Sequence, residues 1–230
     1  RDERPESSLG ILDLVTGDTA LIPGVSDFAF SDDGRFLAMR RFPAGRAEGD
    51  DEHGADLVVR DLGAAETVDV NFGNVGEFAW QEGGHLLAMT VDAADNAGNG
   101  VRVWNADTGG MRVLESHPSD YTELSWREDA DDLVVLRVHE DEDREHPTHV
   151  VRVWKDVDGR ARSHTFDPVA RDDFPADTRV VEYRAPAFSE DGRAVFFGVQ
   201  EWQYTEAALE RMEAEADSAE QRAFYKALQV

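Results

Sequence analysis

The sequence predicts an all-β protein, a partial β-propeller of about three whole four-stranded blades and two half blades, with a C-terminal α-helix. One observation is a hairpin motif that reads FAFSDDGRFLA in its first copy, and its copies lie at 28–38, 78–88, 124–136 and 187–197. The other is a second hairpin, whose copies lie at 9–22, 57–70, 101–114 and 151–166. Two hairpins that recur together at roughly 40–50 residues are typical of propeller blades.

The first hairpin motif follows from ordinary strand and turn chemistry. Phe28 and Phe30 alternate with Ala29, which is the period of a strand with one buried face. Residues 31–34 favour a turn, because Ser and Asp side chains bond to turn amides and Gly accepts a positive φ. In the later copies the position of Gly34 is taken by Gly84, Ala130 and Gly192. The third copy lacks the glycine, so its turn is expected to differ.

The blade count leaves a half blade at each end of the chain. The hairpin at 9–22 has no first half before it, and the hairpin at 185–200 has no clear second half after it. Between them we expect whole blades at about 25–72, 75–115 and 121–167. Either the two terminal halves join and close a small four-bladed ring, or the chain is a piece of a larger propeller. We favour the piece, because the sequence begins at Arg1 inside the repeat and leaves it for a helix.

The last part of the chain changes from strand to helix composition, which predicts a propeller unit at 1–203 and a helical tail at 204–230. The tail is rich in Ala, Glu, Gln and Arg, and Thr205 is placed to cap the start of a helix at 205–229. Apolar residues recur at three- and four-residue steps, as expected for an amphipathic helix: Leu209, Met212, Ala216, Ala219, Ala223, Phe224 and Leu228. Such a stripe packs on the propeller, on a second subunit in a homo-oligomer, or on another domain.

The charge is strongly acidic, with 49 Asp and Glu against 23 Lys and Arg and a formal net charge of −26. A surface of this sign repels phosphate backbones, so no nucleic-acid partner is expected. The acids concentrate in loops such as 48–56 and 139–145. They indicate either binding of cations or a solvated coat in a salt-adapted prokaryote, and the near absence of lysine favours the coat. No apolar run is long enough for a membrane span.

Three segments of the sequence contain residues that could form a chemical site. His139, His146 and His149 lie among acids and are candidate metal ligands, although a solvated loop explains the segment 139–149 better. Residues 92–99 offer oxygen ligands but lack the order of a calcium loop. Residues 24–28 read GVSDF, which lacks the second glycine of a nucleophile elbow. No catalytic residue and no cofactor is therefore expected. No signal peptide is visible, and the chain has no Cys, so the compartment, periplasmic, secreted or cytoplasmic, stays open.

Four tryptophans recur at equivalent positions of the repeats, where packing between blades explains them better than a ligand cage does: Trp80, Trp104, Trp126 and Trp154. The hairpins themselves resemble the propeller repeats of TolB-like proteins and of prolyl-oligopeptidase-family serine peptidases. Two stretches, at 90–114 and 187–202, are more similar to the peptidases. The resemblance implies a domain that caps an α/β-hydrolase partner and filters its peptide substrates. The TolB-like alternative implies an interaction scaffold with no attached enzyme.

One further likeness concerns the stretch EWQYTE at 201–206. It resembles the DW-x-YEE stretch with which dipeptidyl-peptidase relatives hold the amino terminus of a substrate. The resemblance gives Glu206 the role of the second acidic residue, whereas Thr205 stands where the first acidic residue belongs. A glutamate at a helix start is also stabilising by itself.

Overall fold

The computed structural model describes residues 7–42, 53–66, 68–216 and 218–228, and most of its secondary structure is antiparallel β-sheet. The all-β prediction with a helical C-terminal segment is confirmed. Within the described residues the sheets do not close into a ring, as expected for a partial propeller. Neither described helix is long and apolar enough to cross a membrane.

The chain opens with a two-stranded hairpin, which we call the N-terminal half-blade. Its strands are β1 (Ser8–Leu12) and β2 (Thr19–Pro23). One face, carrying Leu9, Ile11 and Ile22, packs on buried residues of the next sheet, among them Leu37 and Met39. The half-blade is therefore held by its apolar face, as a blade in a propeller is held by its neighbour.

The first two whole blades form one continuous sheet. Its strands are β3 (Val25–Phe30), β4 (Phe36–Arg41), β5 (Ala55–Asp61), β6 (Asp69–Trp80), β7 (Leu86–Val91), β8 (Gly100–Asn105) and β9 (Met111–Ser116). β6 is shared, because its first half pairs with β5 and its second half with β7. Asn74 has a positive φ of 56° at the point where β6 passes from one blade to the next. The predicted blade bounds at 72 and 75 fall inside this strand.

The third whole blade is a separate four-stranded sheet. Its strands are β10 (Tyr121–Trp126), β11 (Leu133–His139), β12 (Thr148–Lys155) and β13 (Arg162–Phe166). The carboxylate of Glu77 on β6 accepts hydrogen bonds from the backbone amides of Glu123 and Leu124, at 3.0 and 2.8 Å, and from the hydroxyl of Thr122. This carboxylate fastens the first strand of the third blade to the first strand of the second.

The hydrophobic core lies between the blades. Phe36 of the first blade stacks on Trp80 of the second at 5.9 Å, and the indole N–H of Trp80 donates to the carbonyl of Ala29 at 3.3 Å. Trp126 repeats the arrangement one blade later, donating to the carbonyl of Ala79 at 3.0 Å. Trp104 and Trp154 are buried in the same two inter-blade clusters. The predicted use of the tryptophans in packing between blades is confirmed.

The turns of the hairpin motif agree with the prediction in three of the four copies. Gly34 and Gly192 adopt positive φ values of 73° and 65°. The third copy differs as expected, because Asp129 takes the left-handed conformation with φ 51°. In the second copy the prediction for Gly84 is wrong, since its neighbour Gly83 has the positive φ of 71°. The side chain of Gln81 folds over Gly84 and occupies the space of a Cβ atom there.

The hairpin predicted at 185–200 is longer and more irregular in the structure. Its strands, which we call the C-terminal half-blade, are β14 (Thr178–Val181), β15 (Ala187–Phe188), β16 (Val195–Phe196) and β17 (Gly198–Glu201). β14 pairs with β17, and β15 pairs with β16. The sequence repeat did not predict β14. Val195 and Phe197 pack against Val151 and Val153 of the third blade.

The tail is helical, but it is divided into two helices where one was predicted. They are α1 (Glu206–Glu215) and α2 (Ala219–Ala227). Thr205 caps α1 as predicted, accepting a hydrogen bond from the amide of Ala208 at 3.2 Å. The break follows because Ala216 is extended and Ser218 begins a new helix by accepting from the amide of Gln221. The apolar stripe is divided with it.

Candidate ligand-binding site

Two segments singled out in the sequence contact each other in the structure. The loop between β11 and β12 and the stretch 201–206 form a small antiparallel bridge at Arg144 and Tyr204. The amide of Glu145 donates to the carbonyl of Gln203 at 3.0 Å, and the amide of Thr205 donates to the carbonyl of Asp143 at 3.0 Å. These backbone bonds position the start of α1 on the third blade.

Arg144 is the centre of this contact. Its guanidinium lies 4.6 Å from the ring centroid of Trp202 and 3.7 Å from that of Tyr204. Cation–π attraction of this kind is worth more when the cation is shielded from water, and the side chain of Arg144 is largely buried. Its nearest acidic partner is Asp141, at 4.0 Å. Within the described residues, the buried Nη1 atom of Arg144 has no hydrogen-bond partner.

A cavity of about 390 Å³ opens beside Arg144. Its wall combines apolar groups with a few polar side chains, and it includes Asp141, Arg144, Arg171, Phe174, Thr178 and Trp202. Concave sites with an apolar wall and a few polar groups are the usual form of small-ligand sites. Arg144 lines this cavity together with two aspartates, Asp141 and Asp172, and its unpartnered Nη1 atom is itself buried.

Glu206, the predicted substrate-binding residue, lies in the first turn of α1 with an exposed side chain. A carboxylate at this position is stabilised by the positive end of the helix dipole. One turn further along, Arg211 forms an ion pair with Asp143 of the loop between β11 and β12, which we call the docking loop. Helix α1 is thus anchored to the third blade on both sides of Glu206. The binding role of Glu206 stays a prediction.

The three histidines of the loop do not come together. His139 and His146 are exposed, whereas His149 is buried on β12 and its Nδ1 atom lies 3.0 Å from the carbonyl oxygen of Val180. Burial lowers the pKa of His149, so the ring joins the third blade to β14 as a neutral group. Among the described residues, no three His, Asp, Glu or Cys side chains are grouped as metal ligands.

The remaining two polar segments singled out in the sequence are 92–99 and 48–56, and the first of them forms a hydrogen-bonded turn. In the segment 92–99, Asn99 is buried and its side-chain oxygen accepts the amide of Ala93 at 2.7 Å. Its amide group donates to Asn96 at 3.2 Å, so the segment is a closed turn. Of the acidic loop 48–56, residues 48–52 lie outside the described residues.

Acidic side chains also accumulate on the first strands of the blades. Burial raises the pKa of Glu123, and the nearby carboxylates of Glu77 and Glu182 raise it further. Three carboxylates close enough to influence one another create a negative potential that attracts cations. Glu77 lies on β6 and Glu123 on β10, which contact each other across the blade boundary, whereas Glu182 follows β14 and is paired with Arg179 at 3.4 Å.

Arg144 was missed by the sequence reasoning, which treated its loop as a group of histidines and acids. A signal was present, because Arg144 is the single Lys or Arg in the segment 139–149. Its partners could not be predicted, because Trp202 and Tyr204 are distant in sequence. They contact Arg144 because the C-terminal half-blade folds back to the loop between β11 and β12.

The structure is similar to known propellers. It matches the β-propeller domain of the Trilobed protease from Pyrococcus furiosus with a TM-score of 0.50 and 16% identity, covering 83% of this chain and 61% of that chain. The fold is a β-propeller. The predicted likeness to peptidase propellers is thus confirmed at the level of the fold.

Two further structures are similar at lower TM-scores. Kuenenia stuttgartiensis hydrazine synthase has a TM-score of 0.49 and 15% identity, covering 96% of this chain and 65% of that chain. Pyrococcus horikoshii acylaminoacyl peptidase has a TM-score of 0.45 and 16% identity, covering 85% of this chain and 34% of that chain. No protein-family model and no curated protein sequence matches the chain.

Proposed function

We propose that this chain is the non-catalytic, substrate-filtering β-propeller of a prolyl-oligopeptidase-like serine peptidase. In this proposal residues 1–203 form the propeller unit, and the tail at 204–230 contacts an α/β-hydrolase domain. The similarity to the propeller of the Trilobed protease supports it. The absence of a GxSxG sequence from the chain supports a role other than catalysis.

The observation that carries the proposal is the arrangement of the stretch 201–206. Arg144, Trp202 and Tyr204 hold this stretch against the third blade, and Glu206 remains exposed at the start of α1. A fixed, exposed carboxylate is suited to pair with the ammonium group of a peptide. The acidic first strands at Glu77 and Glu123 would favour peptides of positive charge.

The substitution Glu206→Gln in the whole protein tests this role. A charge-assisted hydrogen bond contributes about 1.5–3 kcal/mol, so we expect kcat/KM for peptides with a free amino terminus to fall by roughly 10- to 100-fold. Peptides with an acetylated amino terminus should be cleaved at the parent rate. Glu210→Gln, an exposed residue one turn further along α1, is the matched control. An equal loss for both kinds of peptide would contradict the role of Glu206.

A serine-reactive fluorophosphonate separates the proposal from its alternative. The chain of 230 residues should stay unlabelled, because it lacks the nucleophile motif. The whole protein should be labelled on one serine outside these residues. If the whole protein takes no label, the interaction scaffold of the TolB-like class becomes the better explanation.

A further inference from the structure

The end of the docking loop and the start of β12 are joined to β14 by three hydrogen bonds, which we call the β12–β14 contact. The carbonyl of Pro147 accepts from Nη1 of Arg179 at 2.8 Å. The hydroxyl of Thr148 accepts from the amide of Val180 at 3.0 Å, and Nδ1 of His149 lies 3.0 Å from the carbonyl oxygen of Val180. Because a carbonyl oxygen only accepts, Nδ1 of His149 carries the hydrogen and donates it.

The β12–β14 contact supports the stretch 201–206 from two sides. On one side, β14 pairs with β17, and the amide of Trp202 donates to the carbonyl of Asp177 at 2.7 Å. On the other side, Arg144 of the docking loop covers the rings of Trp202 and Tyr204. Both supports begin within a few residues of the β12–β14 contact, so a change in that contact would be felt by the stretch 201–206.

His149 is the group in this contact whose charge can change near neutral pH. The residue is 2% exposed, and it lies opposite the apolar Val138 in the sheet. Burial disfavours the charged ring and lowers the pKa of His149. The hydroxyl of Thr148 and the backbone groups do not titrate in this range, and Arg179 stays charged throughout. The contact as the structure shows it therefore holds a neutral ring.

The charged groups around His149 do not make room for a second cation. Arg179 is 4% exposed and opposes a charge on the ring. Oε2 of Glu182 lies 3.9 Å from Nδ1 of His149 and favours the charge, but the same oxygen lies 3.4 Å from Nη1 of Arg179. Glu140 of the docking loop also favours the charge, from an exposed position. A charged His149 would thus share the half-exposed Glu182 with Arg179.

We propose that His149 makes the β12–β14 contact acid-sensitive, so that β14 separates from the start of β12 as pH falls below neutral and the stretch 201–206 loses its support. The closed contact holds the neutral ring, whereas the open contact exposes the ring to water, where it takes up a proton. The closed state is therefore fully stable above the ordinary pKa of histidine, roughly 6.5, and loses stability as pH falls through that value toward the lower pKa of the closed state. This property belongs to the fold and does not depend on the proposed peptidase role.

Hydrogen exchange of the whole protein tests this proposal, read by mass spectrometry in peptides that cover 178–181 and 201–205. Protection is compared at about pH 7 and about pH 5, after correction for the intrinsic exchange rate at each pH. In the parent it should fall several-fold at the lower pH, with a ceiling of about 30-fold, because pH 5 lies about 1.5 units below the ordinary pKa of histidine. A peptide of the first blade that covers 57–61 serves as the internal reference and should keep its protection.

Two neutral substitutions separate the titration from the structural role of the contact. His149→Asn keeps an amide donor close to the position of Nδ1 but cannot gain a charge, so the difference in protection between the two pH values should disappear. Thr148→Val removes the neighbouring hydrogen bond without changing a titratable group, so it should lower protection at both pH values and keep the acid-dependent fall. A fall that persists in His149→Asn, or a parent whose protection does not change, would overturn the proposal.

The ring of His149 offers a measurement on the parent that needs no variant. Exchange of the hydrogen on Cε1 depends on the charge of the ring, and mass spectrometry follows it for each histidine separately. We expect the pKa of His149 in the folded protein to lie below the pKa of the same residue in protein unfolded by urea. If the two pKa values are equal, or if the folded value is the higher one, the closed contact does not exclude the charged ring and the proposal is wrong.

Discussion

The first whole blade and the C-terminal half-blade contain the same turn, but they differ in the burial and the ion pairs of the residues that follow it. In the blade, the hydroxyl of Ser31 donates to Asp33 at 2.8 Å and accepts the amide of Phe36 at 2.9 Å. In the half-blade, the hydroxyl of Ser189 donates to Asp191 at 2.7 Å and accepts the amide of Ala194 at 3.0 Å. The turn is therefore a local structure that forms without a completed blade.

The packing around the two turns is not local. Phe36 is 3% exposed because the second blade covers it, whereas Phe196 on the corresponding strand is mostly exposed. Arg35 has acidic partners on β5 and on the second blade, whereas the acidic partner of Arg193 within the described residues is Asp191 of its own turn. The comparison teaches that the motif encodes the hairpin, and that burial and ion pairing come from the strands that follow it.

Substituting one phenylalanine in each region gives the largest expected effect. Phe36→Ala removes a buried ring that stacks on Trp80, and such changes cost about 3–5 kcal/mol of unfolding free energy. Phe196→Ala removes an exposed ring and should change stability by less than about 0.5 kcal/mol in the monomer. Urea unfolding at low protein concentration measures both. Equal losses would show that the half-blade is already packed on a partner.

The buried carboxylate of Asp132 gives the next effect, because it ties the half-blade to the third blade. Its Oδ2 lies 2.7 Å from Nζ of Lys155 and 3.0 Å from Nε of Arg127. Lys155 also donates to the carbonyl of Gly192 in the half-blade, at 2.7 Å. Asp132→Ala leaves Lys155 and Arg127, each about a quarter exposed, without their shared partner, and losing hydrogen-bonded charge pairs of this kind costs about 1.5–3 kcal/mol.

The control for Asp132 is Glu190→Ala, which changes an exposed acid in the half-blade turn. We expect it to leave the unfolding midpoint unchanged. Proteolysis should also report the difference, because Asp132→Ala should expose the segment after Gly192 to cleavage before the third blade unfolds. If Asp132→Ala unfolds in one step with no early cleavage, the ion pairs of Asp132 are not what holds the half-blade on the third blade.

The same comparison explains what the sequence could predict. Hairpins, blade bounds and tryptophan packing were predicted because they repeat, and each copy supports the others. β14 could not be predicted, since Thr178–Val181 pairs with β17 across an irregular segment that has no counterpart in the repeats. The contacts of Arg144 could not be predicted either. Its guanidinium lies over the rings of Trp202 and Tyr204, and the positions of these rings depend on the fold of the C-terminal half-blade. The binding role of Glu206 was predicted only from the resemblance of the stretch 201–206 to a known motif. Its position at the start of a helix was predicted separately, from the helix-forming composition of the tail.

Histidine gives a smaller, pH-dependent test of the blade turns. In the second copy the position of Arg35 and Arg193 is taken by His85, whose ring nitrogens lie 2.8 Å from Asp107 and 3.0 Å from Asp33. The hydrogen bond to Asp107 raises the pKa of His85, with a further contribution from Asp33. The stabilisation is fully present below the unfolded pKa of roughly 6.5 and is lost as pH rises through the higher folded pKa.

Melting temperatures between about pH 6 and pH 9 measure this contribution. The parent should lose stability relative to His85→Gln as pH rises, and the two curves should be closest at high pH. His146→Gln, an exposed histidine of the docking loop, is the control and should follow the parent. Parallel curves for the parent and His85→Gln would mean that the bridge between Asp33 and Asp107 does not depend on a charged ring.

Salt gives the smallest and most diffuse effect, since it acts on exposed carboxylates in both regions. At a net charge of −26 the compact state is opposed by repulsion, and screening shortens the range of that repulsion from about 10 Å at 0.1 M salt to about 3 Å at 1 M. The melting temperature of the parent should therefore climb between these concentrations. Salt also weakens the attraction of Arg35 for Asp61, which limits the gain.

Arg35→Gln and Arg193→Gln separate these two contributions, because each removes one positive charge from an equivalent turn. Arg35→Gln lacks the attraction that salt weakens, so its melting temperature should rise more steeply with salt than that of the parent. Arg193→Gln should rise in parallel with the parent, measured at concentrations where the chain is monomeric. A flat parent curve would mean that the acids are compensated locally. If Arg193→Gln rises as steeply as Arg35→Gln, Arg193 is attracted by its carboxylate neighbours as strongly as Arg35 is, and the contrast between blade and half-blade disappears.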